Sequence, residues 1–385
     1  MNSYLGYSEQ KLHSLNAYWT AKEISQQPDC WRQTVQIMEE CGPAIKAFMS
    51  KVLAHKNLRI VLTGAGTSAF VGQSLAPALT QYLDRRVEAI ATTDIVSNPR
   101  QYFSENLPTL LVSFARSGNS PESVAATELA DQCLSQCYHL VFTCNSQGEL
   151  YKNSVGNDNA LALLMPEQTN DKSFAMTSSF SSMMLACLSV IGHENENSKE
   201  FERICKCSVE SLKEFDIKIL HDVNHEINRV VYLGSGGLKG LAQESALKML
   251  ELTSGGIVAC YDSPLGFRHG PKSIVNEKTL VVVFISNDEY TRKYDLDLLS
   301  ELRRDNIARD VIAVAAQRDP RIEDGRHVYI GNMAEAADVE LLFPYLLFAQ
   351  AYALHSSIAL GNTPDNPCPT GEVNRVVQGV TIHHL

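Results

Sequence analysis

The sequence lacks several things that would each have fixed its class. No apolar run approaches the ~18 residues a membrane span requires, and no basic stretch leads into an apolar core at the start. The expectation is a cytoplasmic protein with no membrane partner. Lysines and arginines do not cluster, and acidic residues outnumber basic ones by 44 to 33, giving a formal charge of −11. Nucleic acid is therefore not an expected partner, because phosphate backbones are held mainly by clustered Lys and Arg. The ten cysteines lack metal spacing: Cys133 and Cys137 are four apart, Cys205 and Cys207 two apart, and none forms CxxC. They lie in apolar stretches such as "MMLACLSV" and "GIVACYD", so reduced structural thiols are expected rather than a disulfide framework. His221 and His225 have HxxxH spacing without a metalloprotease glutamate, which reads as a solvated pair. No metal site is expected. A small anionic substrate stays open, since helix N-termini supply local positive potential whatever the net charge.

What is present is a unit written twice. A chain of 385 residues with 44% apolar content exceeds the roughly 250 residues one core usually serves, so two domains are expected. "NLRIVLTGAGTSAFVGQSLAPAL" (57–79) and "INRVVYLGSGGLKGLAQESALKML" (227–250) both read as a strand, a glycine turn and an amphipathic helix. A single constant offset puts Gly64 on Gly234, Gly66 on Gly236 and "TLLVSF" (109–114) on "TLVVVF" (279–284). One offset shared by separate motifs marks a duplication. Further apolar runs, "YHLVFTCN" (138–145) and "DVIAVAA" (310–316), are interleaved with helical sequence. Continuous rather than alternating apolar strands predict parallel sheets covered on both faces. The fold class is α/β: two tandem doubly wound parallel-sheet domains, over 46–205 and 215–385, behind an N-terminal helical arm over 1–45. A Thr20-to-Glu23 capping box is expected in that arm, and "GHENENSKE" (192–200) is the expected connection between halves.

In parallel sheets, ligands bind beyond the carboxyl ends of strands. "TGAGTS" (63–68) and "ARSGNSPES" (115–123) both follow strands of the first half. Glycine admits close backbone approach, and Ser and Thr hydroxyls donate to anionic oxygens. Thr67, Ser68, Ser117 and Ser120, with Gly118 between the last two, read as a cradle for a phosphate monoester. Two plainer readings compete: Gly64, Gly66 and Ala69 fit the dinucleotide pattern G-x-G-x-x-A, and Ser120 before "PES" fits an ordinary helix N-cap. Glu88 lies at the distance of a ribose-binding acid, as would any surface carboxylate. The second half is an internal control. Ser68 falls on Leu238 and Ser117 on Asn287, so only the first half keeps the hydroxyls, and one phosphate site per chain is expected.

The second half offers "ESALKMLELTSGGIVACYDSPLGFRHGPKS" (244–273). Lys248 and Glu251, three apart, share a helix face, which fits either a surface ion pair or a functional pair. His269, between an arginine and a Gly-Pro turn, fits either a solvated loop residue or a catalyst.

In order, "GAGTS", "SGNSPES", "ESALKMLEL" and "FRHGPKS" resemble the sugar isomerase (SIS) superfamily, whose members bind phosphosugars with two such domains. The resemblance spans nearly the whole chain, including "KEISQQP" in the arm. Within it the sequence is similar to the AgaS group, described as galactosamine-6-phosphate deaminase/isomerase and formerly as tagatose-6-phosphate ketose/aldose isomerase. The resemblance implies that Ser68, Ser117 and Ser120 bind the substrate phosphate, and Gly66 and Thr67 are expected beside them as substrate-binding residues. It implies that Arg116 stands where the related glucosamine-6-phosphate synthase has glutamine, within reach of the phosphate. Glu251 falls on the carboxylate that moves a proton between sugar carbons one and two, His269 on the ring-opening histidine, and Lys248 on a lysine near the substrate hydroxyls. In the family the histidine comes from the neighbouring subunit, which implies a homodimer or larger assembly with shared sites.

One departure matters. The synthase carries a lysine near its C-terminus, and the matching position in "NRVVQGVTI" (374–382) is Gln378. With no glutamine-hydrolysing domain either, the resemblance implies the degradative direction: galactosamine 6-phosphate to tagatose 6-phosphate plus ammonium, through an enolamine and without metal or organic cofactor. The alternatives are aldose/ketose isomerisation of tagatose 6-phosphate, deamination of glucosamine 6-phosphate, and a non-catalytic phosphosugar sensor. Glu167 and Lys172 in "MPEQTNDKSFAMTSS" are assigned no role.

Overall fold

A computed structural model describes residues 3–192, 198–222, 226–371, 373–377 and 379–385, with side chains at 198 and 216–222 left aside. His221 and His225 as a side-chain pair, most of the 192–200 connection and Gln378 lie outside what is described. The chain forms two compact units. The N-half unit comprises Asp29–Asp171, Met176–Glu196 and Gly371–Leu385; the C-half unit comprises Met1–Pro28, Lys172–Ala175 and Asn197–Thr370. Linear order and compact grouping thus differ: Met1–Pro28 groups with the second half, and Gly371–Leu385 with the first.

The N-half unit holds a parallel five-stranded sheet of β1 (Arg59–Thr63), β2 (Val87–Ala89), β3 (Thr109–Ala115), β4 (Cys137–Thr143) and β5 (Ala160–Leu164). Its spatial order is β2-β1-β3-β4-β5. The C-half unit holds β6 (Arg229–Leu233), β7 (Val258–Asp262), β8 (Thr279–Phe284), β9 (Asp310–Ala315) and β10 (His327–Tyr329), also parallel, in the order β7-β6-β8-β9-β10. Both sheets are therefore doubly wound with one topology. β3, β4 and β8 are buried along their whole length, as expected of strands covered on both faces. In this order the connections reverse between the first and third strands, and a crevice opens there at the carboxyl ends. "TGAGTS" and "ARSGNSPES" flank that crevice in the N-half unit.

The glycine turns are the same device twice. Gly66 (φ 56°, ψ −127°) and Gly236 (φ 54°, ψ −127°) precede the helices Thr67–Leu83 and Gly237–Leu252 in a conformation that side-chain-bearing residues avoid. A Cβ on Gly64 would stand 2.5 Å from the Ser68 carbonyl carbon, and one on Gly234 2.4 Å from the Leu238 oxygen. Strand and helix can pack this closely only with glycine there.

The N-terminal arm is helical, over Glu9–Ser14, Tyr18–Ser25, Gln27–Glu40 and Gly42–Leu53. The expected capping box does not form. Thr20 lies inside its helix, whose N-cap is Ala17, and the exposed amides are met by a distant residue: the Asp365 carboxylate accepts from Trp19 N (3.0 Å), Thr20 N (2.8 Å) and the Thr20 hydroxyl (2.8 Å). Buried Glu23 instead accepts from the Lys172 and Ser173 amides and the Ser173 hydroxyl, while the Lys172 ammonium lies 4.1 Å from the Trp19 ring centre. One described helix, Asp338–Ala359, is long and apolar enough to cross a membrane, but Leu341–Ser357 is buried and the helix packs on Gly237–Leu252 and Ser198–Asp222 as the core helix of its unit. All ten cysteines are free thiols.

In the C-half unit the crevice is closed by its own carboxylates. Asp295 accepts from the Ser235 hydroxyl (2.6 Å) and Ser286 N (3.0 Å), and Asp338 from the Ser286 hydroxyl (2.5 Å) and Asn287 N (2.7 Å). Burial, only partly offset by those hydrogen bonds, pushes the Asp295 carboxyl up from 3.8 to about 6. The folded chain then holds this proton more tightly than the unfolded chain. Its contribution to stability is full below about pH 4 and lost as pH rises through about 6. Relative to Asp295→Asn, which cannot titrate, the parent is expected to lose up to about 2–3 kcal/mol between about pH 4.5 and 7.5. Urea denaturation of both proteins at the two pH values measures this, and a pH-independent difference would contradict it.

Candidate functional site

In the N-half unit, the helix Thr67–Leu83 starts immediately after Gly66, and its first turn is tied to the preceding loop, with Ser68 N donating to Ala65 O (3.1 Å) and Ala69 N to Gly66 O (2.9 Å). Thr67 and Ser68 are 5% exposed, and the Ser68 hydroxyl has only a long contact to the Met176 sulfur (3.8 Å). The next loop is braced from behind. Asn145 Nδ2 donates to Ser117 O (2.8 Å), Leu150 N to Gly118 O (3.1 Å) and Glu149 N to Asn119 Oδ1 (2.9 Å). Gly118 takes φ +66°, and Gly148 packs so close that a Cβ there would meet Ser117 O at 2.6 Å. With its carbonyl taken, Ser117 keeps its hydroxyl proton available, since its oxygen only accepts from Asn119 N at 3.3 Å. Ser120 is the N-cap of Pro121–Cys133, yet its hydroxyl bonds to Ser123 Oγ (2.6 Å) rather than to a first-turn amide. Two helix N-termini thus open from neighbouring strands β1 and β3, which suits an anion. Arg116, 5% exposed, sends Nη2 to Arg375 O at 2.8 Å.

In the C-half unit, the pair Lys248 and Glu251 is not the exposed ion pair that its spacing also allowed. Lys248 is fully buried on the helix Gly237–Leu252, bonded to Glu251 and 3.4 Å from Glu244, which is also fully buried. Burial alone would depress the Lys248 ammonium, but Glu244 and Glu251 outweigh it and hold its pKa above that of ordinary lysine. Glu251 is 22% exposed. It is a carboxylate fixed by a buried cation with one edge toward solvent, the disposition of a group that handles protons on a bound molecule. Glu244 went unremarked in the sequence, although its i,i+4 spacing to Lys248 placed it on the same face.

His269 follows the short helix Pro264–Phe267 and precedes Gly270, whose φ of +121° restricts that position to glycine. The imidazole is exposed. Its loop is held on both sides by the helix Glu289–Asp305: Arg268 Nη2 lies 2.8 Å from Glu301, and Lys272 bonds to Glu301 and to Asp305 (2.5 Å). Glu301 therefore anchors both cations that flank the histidine. His269 and Glu251 share no hydrogen bond.

Among the described residues, Asp131, Cys137 and His139 bring possible metal ligands within 4.8 Å of one another. They stand at the amino end of β4, whereas the loops above lie at the carboxyl ends of their strands. The imidazole already bonds through Nε2 to Asp131 (2.8 Å), and its buried Nδ1 has no partner. A metal on Nε2 would force the proton onto Nδ1 with nothing to accept it. The Cys137 thiol is pushed up to about 12 by burial and by Asp131, far from the thiolate a metal needs.

The SIS domain family model matches residues 52–191 and again 225–356. The chain belongs to the SIS domain family. This SIS chain is 50% identical over 368 residues to the D-galactosamine-6-phosphate deaminase AgaS of Escherichia coli, covering 95% of each. It is 46% identical over 385 residues to the protein of that name from Shewanella sp., covering 99% of this chain and 96% of that one. Its fold is similar to the crystal structure of tagatose-6-phosphate ketose/aldose isomerase from Escherichia coli, with TM-score 0.91 and 47% identity over 99% of each chain. In the SIS chain, the two matched segments each contain one parallel sheet and one glycine turn, and the hydroxyl loops and the buried lysine fall in different segments.

Removing Lys248 would take away the buried cation that pairs with both Glu244 and Glu251. Lys248→Ala is expected to cost about 3–5 kcal/mol of stability, the usual penalty for breaking a buried charge network. Denaturant titration reads it; a loss below about 1 kcal/mol, the level of an exposed pair, would contradict the assignment.

Proposed function

We propose that the chain is a galactosamine-6-phosphate deaminase/isomerase that releases ammonium and tagatose 6-phosphate. What carries the reading is Glu251, held by buried Lys248 in a chain about half identical, over nearly its full length, to relatives bearing that name. The cradle of Gly66, Thr67, Ser68, Ser117 and Ser120 takes the phosphate, which lies far from the reacting carbons and supplies binding energy and orientation. His269 promotes ring opening. Glu251 then takes the proton from C2 as the aldehyde oxygen at C1 gains one, giving an enolamine. Return of the proton to C1 leaves an imine at C2. Water adds there, and ammonium departs with the C2–N bond. Fixation of the carboxylate on a helix supports this, since a base must sit within about 3 Å of the protons it moves.

The exposure of His269 at the tip of an anchored loop suits a role toward a neighbouring copy, and we infer a homodimer. Free thiols suit a reducing cytoplasm. The second reading, aldose/ketose isomerisation of tagatose 6-phosphate, is favoured by the name of the similar solved protein. It would use the same proton transfer without loss of nitrogen.

Glu251→Gln is expected to lower kcat for ammonium release by about 10²–10⁴-fold while calorimetric binding of galactosamine 6-phosphate persists. Full activity in that variant would remove the mechanism. Ser117→Ala is expected to raise KM by about tenfold through loss of a charge-assisted hydrogen bond, and an unchanged KM would move the phosphate elsewhere.

A further inference from the structure

The C-terminal segment Gly371–Leu385 groups with the N-half unit, and one of its residues is tied directly to the serine loop. Arg375 donates from Nε to Asp171 O (3.0 Å) and from Nη2 to Asn170 Oδ1 (3.2 Å) and Asp171 O. Its own carbonyl accepts from Arg116 Nη2 at 2.8 Å. The anchor is itself fixed. The fully buried Asp171 carboxylate accepts from the amides of Thr177 (2.8 Å), Ser178 (3.2 Å) and Ser179 (2.9 Å), and from the Ser179 hydroxyl (2.6 Å). It thereby caps the helix Ser178–Ile191, whose own N-cap residue Thr177 makes no side-chain cap bond. The Cys144 thiol, pushed up to about 12 by burial, is drawn back down by the Thr169 hydroxyl and, to a lesser extent, by both Arg116 and Arg375, so the two guanidiniums act on one locality.

We propose that Arg375 is a positioning residue: it pins the C-terminal segment to Asn170 and Asp171 so that its carbonyl holds Arg116 in one orientation beside Ser117. The rest of the cradle is neutral, made of glycine, serine and threonine. A phosphate dianion gains most from a cation that is already oriented, and a guanidinium held by a carbonyl loses less freedom when the anion arrives. Arg116 then serves the phosphate through placement of its charge, and the segment after Gly371 becomes part of the phosphate-binding machinery. This rests on the reading of the serine loops as the phosphate site.

The full chain with Arg375→Ala, Arg375→Lys or neither is assayed for ammonium release from galactosamine 6-phosphate, with thermal melting as the check on folding. Binding of the sugar phosphate is measured in parallel by calorimetry in the Glu251→Gln background, with and without Arg375→Ala. Arg375→Ala is expected to raise KM and weaken binding by the same factor, about tenfold, with kcat little changed. Arg375→Lys keeps the charge but not the two-pronged geometry and is expected to fall between. It also carries the test should Arg375→Ala fail to fold. A folded variant with parental KM and affinity would overturn the proposal, as would a fall in kcat with KM unchanged. If the parent releases no ammonium, the functional reading fails separately, and the calorimetric comparison alone decides on Arg375.

Discussion

A parallel sheet whose connections diverge to opposite faces must leave a crevice where they part, and the backbone groups and helix ends around it must be satisfied by something. The two units meet this constraint in opposite ways. In the C-half unit the crevice is filled from within, by Asp295 and Asp338 bonded to Ser235, Ser286 and Asn287. In the N-half unit Ala65, Arg116 and Ser117 stand at the positions of Ser235, Ser286 and Asn287, and the loops are braced from behind through Ser117 O and Gly118 O. The first arrangement is a finished core. The second carries the Ser68 and Ser117 hydroxyls at the crevice, an arrangement that suits an anion and on which the proposed phosphate site rests.

The C-half unit uses the same topology for a different arrangement of charge. Its helix Gly237–Leu252 starts from the same glycine turn, yet its last turns carry a charged trio rather than a phosphate-binding face. A buried ion pair is seldom favourable over well-packed apolar residues, so its presence asks for a use beyond stability. Here one cation fully removed from water stands between two carboxylates, and only Glu251 reaches solvent. The helix supplies rigidity and Lys248 fixes the carboxylate, and the proton transfer proposed for Glu251 would need both. The His269 loop follows the same logic at lower cost, with Glu301 holding Arg268 and Lys272 while Gly270 makes the turn.

Much of this was legible in the sequence wherever the signal was local. The constant offset between the two glycine turns, shared by the runs "TLLVSF" and "TLVVVF", pointed to the two sheets, because fully buried parallel strands have a composition of their own. The glycine turns were legible because no other residue fits where a Cβ would collide. What escaped was non-local. Thr20 and Glu23 fit the capping pattern, but Asp365, far along the chain from Thr20, reaches its amide first, and Glu23 serves Lys172 and Ser173 instead. Arg375 carried no motif, and only the return of the C-terminal segment to the N-half unit brings it to Arg116. Glu244 lies between these cases: its spacing to Lys248 was readable, but the burial that gives it meaning was not.

The central claim is that this SIS chain breaks a carbon–nitrogen bond at C2 of a phosphorylated amino sugar. The most direct test is ammonium release by the purified protein, without added cofactor, from galactosamine 6-phosphate and glucosamine 6-phosphate side by side. The account predicts release from both or from the galacto sugar alone, with the galacto sugar preferred and a ketose 6-phosphate formed in equal amount. No release from either sugar, by folded protein that binds a phosphosugar, would contradict it and leave isomerisation or sensing as the function of the same fold.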